Sequence, residues 1–320
     1  MKTLFILLKI TFALVAFVLL VSYICFRMVF FVNRNHDLPA EEITFPEGEI
    51  YEPYHPIMKK WILEARSFPY ENYYIKSHDG LTLHAKYFEF APGAVTEIMF
   101  HGYRGTAERD LSGGIQRCFA LGRNVLLVDQ RTSCESEGKV ISFGINEHRD
   151  CLAWVDFAVN HFGPDVKIVL TGISMGASTV LMAAGKPLPE NIVGVLADCG
   201  FSSPKKIIQK CAKDLHLPAK LIYPFIKLGA KIFGHFDLEE YSPLEAMKTC
   251  NVPIIFFHGE DDAFVPCYMS REMYDACTAP KKLVTIPGAG HGLVYLVDNQ
   301  KYFQSVVEFF TENGVETKLQ

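Results

Sequence analysis

The hydrophobic pattern divides the chain in two. Residues 10–26 are uncharged and mostly apolar, extended by 4–8 ahead of Lys9 and by 28–32 beyond Arg27. At about 1.5 Å per residue this core spans about 25 Å, and snorkelling of Lys9 and Arg27 brings it to a bilayer of about 30 Å. It is long for the apolar part of a signal peptide. Where a small-x-small cleavage site would stand, the chain instead carries Arg27, Phe30, Phe31 and Asn33, so 1–32 reads as an uncleaved transmembrane anchor. Residues 33–56 follow with Pro39, Pro46, Pro53 and Pro56 among Asp37, Glu41, Glu42, Glu47 and Glu49, the composition of a solvated stalk.

From residue 57 the periodicity becomes that of a folded domain, 57–320. A short helix is predicted over 57–66, then a hairpin of strands 73–77 and 81–90 turning at His78-Asp79-Gly80. Strands at 97–100, 124–128, 167–171, 192–196, 253–257 and 282–286 then alternate with helices at 111–121, 147–162, 177–184, 267–277 and 300–313. Val125-Leu126-Leu127-Val128 and Ile168-Val169-Leu170 are apolar without alternation, as in strands covered on both faces. The expected fold class is therefore α/β, with a mostly parallel, doubly wound sheet. Between Cys199 and Val252 the alternation stops, and Ile207, Ile208, Cys211, Ile222, Phe225 and Ile226 fall at helical spacing. This helical insertion, about 203–248, is placed either to form a lid over an active site or to pack on the sheet as core.

At 320 residues, 49% hydrophobic and 21% charged, the chain suits one sizeable domain with small additions. A net charge of −5 with no basic stripe excludes nucleic-acid binding. The nine cysteines show neither C-x-x-C pairs nor metal-type spacing, which argues against a strongly oxidising compartment. Lys2, Lys9 and the amino terminus lean the other way, placing the short tail inside and the domain outside the cytoplasm. Membrane attachment is thus expected, with an extracytoplasmic lean for the domain.

Candidate chemistry centres on Gly172-Ile173-Ser174-Met175-Gly176, which lies between a β-branched run and a helix-prone one. In that setting G-x-S-x-G is a nucleophile elbow, its glycines allowing a turn too tight for Cβ atoms and pushing the serine Oγ out above the sheet. A serine nucleophile needs a base and a carboxylate to orient that base. His291, in the glycine-rich loop 287–292 after the last strand, is the base candidate. Asp261 and Asp262 both follow the strand at 253–257, and chemistry alone leaves the choice between them open. Asp129 is a weaker third candidate. An oxyanion hole requires two backbone N–H groups, expected from Met175 after the nucleophile and from Tyr103 in the loop His101-Gly102-Tyr103-Arg104-Gly105.

These residues resemble the α/β-hydrolase superfamily, specifically its bacterial serine aminopeptidase-like and acyl esterase branch. His-Gly-x-x-Gly at 101–105, Gly-x-Ser-x-Gly at 172–176, His-Gly-x-x-Asp-x-x-Val-Pro at 258–266 and Gly-x-Gly-His at 288–291 carry the likeness, over about 70–315. The resemblance puts the acid on Asp262. It implies a serine hydrolase acting on an ester or thioester, with an aminopeptidase-like amide hydrolase and a silent membrane-tethered binding module as alternatives. The mechanism requires no metal or organic cofactor. The apolar insertion and the anchor point to a small-molecule or lipid-like ester substrate. In one departure from the family's Asp-x-Arg-Gly-x-Gly-x-Ser stretch, Thr132 and Cys134 replace glycines within 129–138, which puts the usual conformation of that loop in question.

Overall fold

The computed structural model describes residues 1–33, 42–315 and 317. Helix α1 (Lys2–Val29) leads into a single turn and helix α2 (His55–Ser67). Strands β1 (Glu71–Lys76) and β2 (Thr82–Phe88) form the predicted hairpin. There follow β3 (Thr96–Phe100), α3 (Ala107–Ala120), β4 (Asn124–Asp129), α4 (Glu147–Phe162), β5 (Ile168–Ile173), α5 (Met175–Ala184) and β6 (Ile192–Asp198). The insertion holds α6 (Pro204–Asp214), α7 (Ala219–Phe233) and α8 (Pro243–Met247). Strand β7 (Ile254–Gly259), α9 (Tyr268–Ala276), β8 (Lys281–Ile286), α10 (Val294–Val297) and α11 (Asn299–Glu312) complete the domain.

The eight strands form one sheet in the order β1-β2-β4-β3-β5-β6-β7-β8, antiparallel at the β1–β2 and β2–β4 pairings and parallel elsewhere. Because side chains alternate across a strand, β7 sends Ile254 and Phe256 into the layer that holds α4 and α5, and Ile255 and Phe257 into the layer beneath α11. Both layers are apolar, which is why the sequence shows continuous hydrophobic runs. The parallel strands end together along one edge of the sheet, where the loops carrying Ser174, Asp262 and His291 emerge.

Two regions differ from the sequence picture. Helix α1 does not hand over to a free spacer: Phe30 is fully buried, Phe31 forms an isolated antiparallel bridge with Val140, and the Ile141 N–H donates to the Phe30 carbonyl at 2.9 Å. Of the proposed stalk, 34–41 lie outside the described residues. The remainder packs on the domain: Phe45 stacks on His55 at 4.4 Å, and the Tyr51 hydroxyl donates to the His291 carbonyl at 2.9 Å. Proline and acidic content marks solvation only when nothing apolar is interleaved, and Phe45, Ile50 and Tyr51 are interleaved here.

The insertion packs its amphipathic helices mainly against α1 and against Met175, Phe201 and Met269 in one apolar cluster. Gly229 of α7 lies so close to α1 that a Cβ there would stand 2.3 Å from the Ser22 carbonyl oxygen. Small residues at such a crossing let two helix backbones approach closely.

Candidate active site

Ser174 sits between β5 and α5 with φ 56° and ψ −118°, a conformation strained for any residue but glycine. Two close approaches enforce it. A Cβ on Gly172 would meet the Gly176 oxygen at 2.2 Å, and one on Gly176 would meet the Phe100 oxygen at 2.0 Å. The Ser174 N–H donates to the Asp198 carbonyl at 2.8 Å, fixing the turn to the neighbouring strand.

The loop after β8 brings His291 Nε2 to 2.9 Å from Ser174 Oγ, and His291 Nδ1 lies 2.7 Å from Asp262 Oδ2. The remaining oxygen of Asp262 accepts from the Phe264 and Val265 N–H groups at 2.9 and 2.7 Å. Burial by itself would raise the Asp262 pKa; hydrogen bonds from His258 and His291 outweigh it and bring the carboxyl down to about 2. Asp262 therefore stays ionised at neutral pH. Asp261 is exposed and contributes its backbone N–H to the Ala289 carbonyl at 3.1 Å. Asp129 is committed elsewhere, 2.7 Å from His84 Nδ1. Geometry thus separates three aspartates that chemistry alone left open.

Met175 begins α5, where the first N–H groups have no helical acceptor. Across from it the loop 101–105 lies against the serine: a Cβ on Gly102 would stand 3.4 Å from Ser174 Cβ. Asp110 Oδ2 accepts from the Gly102 N–H at 3.0 Å, and the Gly105 N–H donates to the Gly102 carbonyl at 3.1 Å, closing the loop beside the Tyr103 backbone. The Tyr103 ring turns outward, packing on Phe143 at 5.1 Å and donating its hydroxyl to the Val29 carbonyl at 2.7 Å. Arg104 adds hydrogen bonds to the carbonyls of Met28 at 2.9 Å and Phe31 at 3.2 Å. The loop expected to supply an oxyanion donor is therefore fastened to the end of α1.

Sequence reasoning passed over two residues. His258, at the end of β7, lies 3.3 Å from Asp262 Oδ2 and is itself held by Ser270 and by the Val265 carbonyl, both at 2.7 Å. Its place in the His-Gly-x-x-Asp motif was the available signal. Asp198 ends β6 beside the serine; burial pushes its carboxyl up to about 6, against the pull of His258 and His291. The loop in question at 129–138 takes the left-handed conformation without its glycines, with Thr132 at φ 74° and Cys134 at φ 42°. Arg131, buried between Asp150 at 2.6 and 2.7 Å and Asp79 at 3.0 and 3.2 Å, helps to hold it there.

A cavity of about 220 Å³ opens beside Ser174 and His291. Its walls come from Pro46 and Tyr51, from Met58 and Trp61 of α2, from Leu111, Gly113 and Gly114 of α3, and from Tyr295 and Leu296 of α10. No residue of the 203–248 insertion lines it, so the wall-forming role entertained for the insertion passes to the N-terminal segments. Asp198 Oδ1 and Arg117 Nη1 belong to residues that line the cavity, and both atoms are buried without a hydrogen-bond partner.

The sequence pattern of the prolyl oligopeptidase family matches residues 141–315. YqkD of Bacillus subtilis is 25% identical over 310 residues, covering 96% of this chain and 97% of its own. Bem46 of Schizosaccharomyces pombe is 26% identical, covering 86% and 85% respectively. Among solved structures, the Pyrococcus furiosus esterase superposes with a TM-score of 0.65 at 22% identity, over 78% of this chain and 93% of that one. A likeness at that identity shows a common fold.

Proposed function

Because the chain belongs to the prolyl oligopeptidase family of the α/β-hydrolases, we propose that it is a membrane-anchored serine hydrolase that cleaves a carboxylic ester or thioester. The continuous hydrogen-bonded path from Ser174 Oγ through His291 to Asp262 carries this reading. His291 Nε2 takes the Ser174 proton as Oγ attacks the acyl carbonyl, and the N–H groups of Tyr103 and Met175 hold the oxyanion. Ionised Asp262 keeps the ring in the tautomer with its proton on Nδ1 and stabilises the imidazolium. The imidazolium then protonates the leaving alcohol or thiol, leaving an acyl-enzyme. Water, activated by the same histidine, releases the acid and restores Ser174.

The apolar walls of Met58, Trp61, Leu111 and Leu296 favour an acyl or aryl group beside the serine, and the likeness to a protein described as an esterase points the same way. The family's name favours a second reading, an amide hydrolase. Helix α1 is long and apolar enough to cross a membrane. Burial of Phe26 and Phe30 in the domain favours a retained anchor, since cleavage would strip the apolar cluster they complete. The basic tail supports an extracytoplasmic lean for the domain.

Two measurements test the reading. Fluorophosphonate labelling should require Ser174, and a folded protein that stays unlabelled would leave only a silent binding module. Turnover of p-nitrophenyl esters of graded chain length should exceed that of aminoacyl p-nitroanilides; faster anilide cleavage would establish the amide hydrolase instead.

A further inference from the structure

Helices α1 and α7 run side by side in the same direction. Ser22 lies against Gly229, Tyr23 and Phe26 pack on Phe233 at 5.1 and 5.9 Å, and Phe30 packs on Phe236 at 5.3 Å. The numbers rise together along the two segments, so the start of α7 points back along α1, toward its exposed apolar span. At about 1.5 Å per residue, Leu221 lies about 12 Å further that way than Gly229.

That end of the insertion is uncovered, with apolar tips set among the exposed Lys213, Asp214, His216 and Lys220, Asp214 being paired with Lys210 at 2.5 Å. Leu215 is 67% exposed and Leu221 71%; Leu217 is exposed in the turn before α7, and Pro224 and Ile232 continue the exposed face along the helix from Leu221. The opposite face of α7 is already used, with Tyr223, Ile226 and Ala230 buried in the domain. Lys213 and Lys220, exposed and without an ion-pair partner among the described residues, bracket Leu215 and Leu217, and Leu221 follows directly. Apolar tips flanked by lysines suit a headgroup boundary, where the tips enter the acyl region and the ammonium groups reach back to phosphate. In water the same leucines would stay hydrated beside a helix whose first 16 residues are all exposed.

We propose that the α6–α7 hairpin, residues 215–221, is immersed in the bilayer next to α1 and gives the hydrolase a second membrane contact. The proposal rests on the reading of α1 as a membrane anchor. It commits to lipid because the exposed stripe is continuous in direction with that span.

The test places a tryptophan at Leu221, at Phe12 of α1, or at Tyr74 on the far edge strand, in the full chain reconstituted into phosphatidylcholine vesicles with or without brominated acyl chains. The fluorescence added by Leu221→Trp should fall by at least half in brominated vesicles, as should that of Phe12→Trp, while that of Tyr74→Trp should not change. Leu215→Trp serves as a second reporter on the same hairpin. Quenching at Phe12 without quenching at Leu215 or Leu221 overturns the proposal and leaves the anchor standing. Unquenched but blue-shifted emission from Leu221→Trp also overturns it, assigning the stripe to a second copy of the chain. Quenching at Leu221 without quenching at Phe12 keeps the hairpin in lipid and refutes the span.

Discussion

Helices α1 and α5 are both apolar on nearly every face, and their surroundings are opposite. All ten residues of α5 are buried in protein, whereas α1 buries only Ser22, Cys25 and Phe26. A helix that is hydrophobic all round requires apolar neighbours on every side. For α5 the sheet and α4 provide them, and the rigid packing that results aims Ser174. For the first 16 residues of α1, all exposed, no protein group does. One apolar helix thus serves to position an atom, and the other, on the proposal that α1 is a membrane anchor, to position the molecule.

The largest expected effect falls on the α5 side of this contrast. Ser174→Ala should lower kcat by about 10⁴-fold or more and abolish fluorophosphonate labelling, with an unchanged circular dichroism spectrum. Retained labelling would move the nucleophile away from the elbow. On the α1 side, Phe30→Ala empties a fully buried site between Phe143 and Phe236. It should cost about 3–5 kcal/mol in denaturant unfolding of the detergent-solubilised chain. A cost below about 1 kcal/mol would mean that α1 merely tethers the domain.

A third experiment probes the buried carboxyl beside the elbow. The folded pKa of Asp198, about 6, lies above the usual 3.8, so the folded protein binds the proton more tightly than the unfolded chain. This group's contribution to stability therefore falls as pH rises from about 4 to about 6. Asp198→Asn should accordingly be more stable than the parent by about 3 kcal/mol at pH 7, a gain that disappears by pH 4, as read from unfolding midpoints across that range. The smallest expected effect sharpens the link between the two helices. Tyr103→Phe keeps the N–H proposed for the oxyanion hole but removes the bond to Val29. It should lower kcat/KM for a p-nitrophenyl ester by up to about fivefold, the equivalent of about 1 kcal/mol.

The sheet and the candidates Ser174 and His291 were legible because each is encoded locally, whereas the choice of Asp262 over Asp261 came from the resemblance. Gly172 and Gly176 declare a turn, and loop glycines announce His291. Long apolar runs report strands with two covered faces. What escaped the sequence depends on contacts between distant segments. Gly229 reads as one more residue of an amphipathic helix, and only the approach of Ser22 gives it meaning. Tyr51 and Trp61 have no periodicity that would mark them as cavity wall. Thr132 and Cys134 show that a loop can take left-handed turns without glycine when a buried side chain of its own, Arg131, ties it to Asp79 and Asp150 outside it.

The bridge between Phe31 and Val140 leaves no slack between helix and domain. With α1 in a bilayer, Ser174 works at a set height, like a stylus on a rigid arm. The quantity governing its rate is then the mole fraction of ester within the leaflet, not its molarity in the surrounding water. Diluting that ester with inert lipid should slow the enzyme even when the total amount in the tube is unchanged.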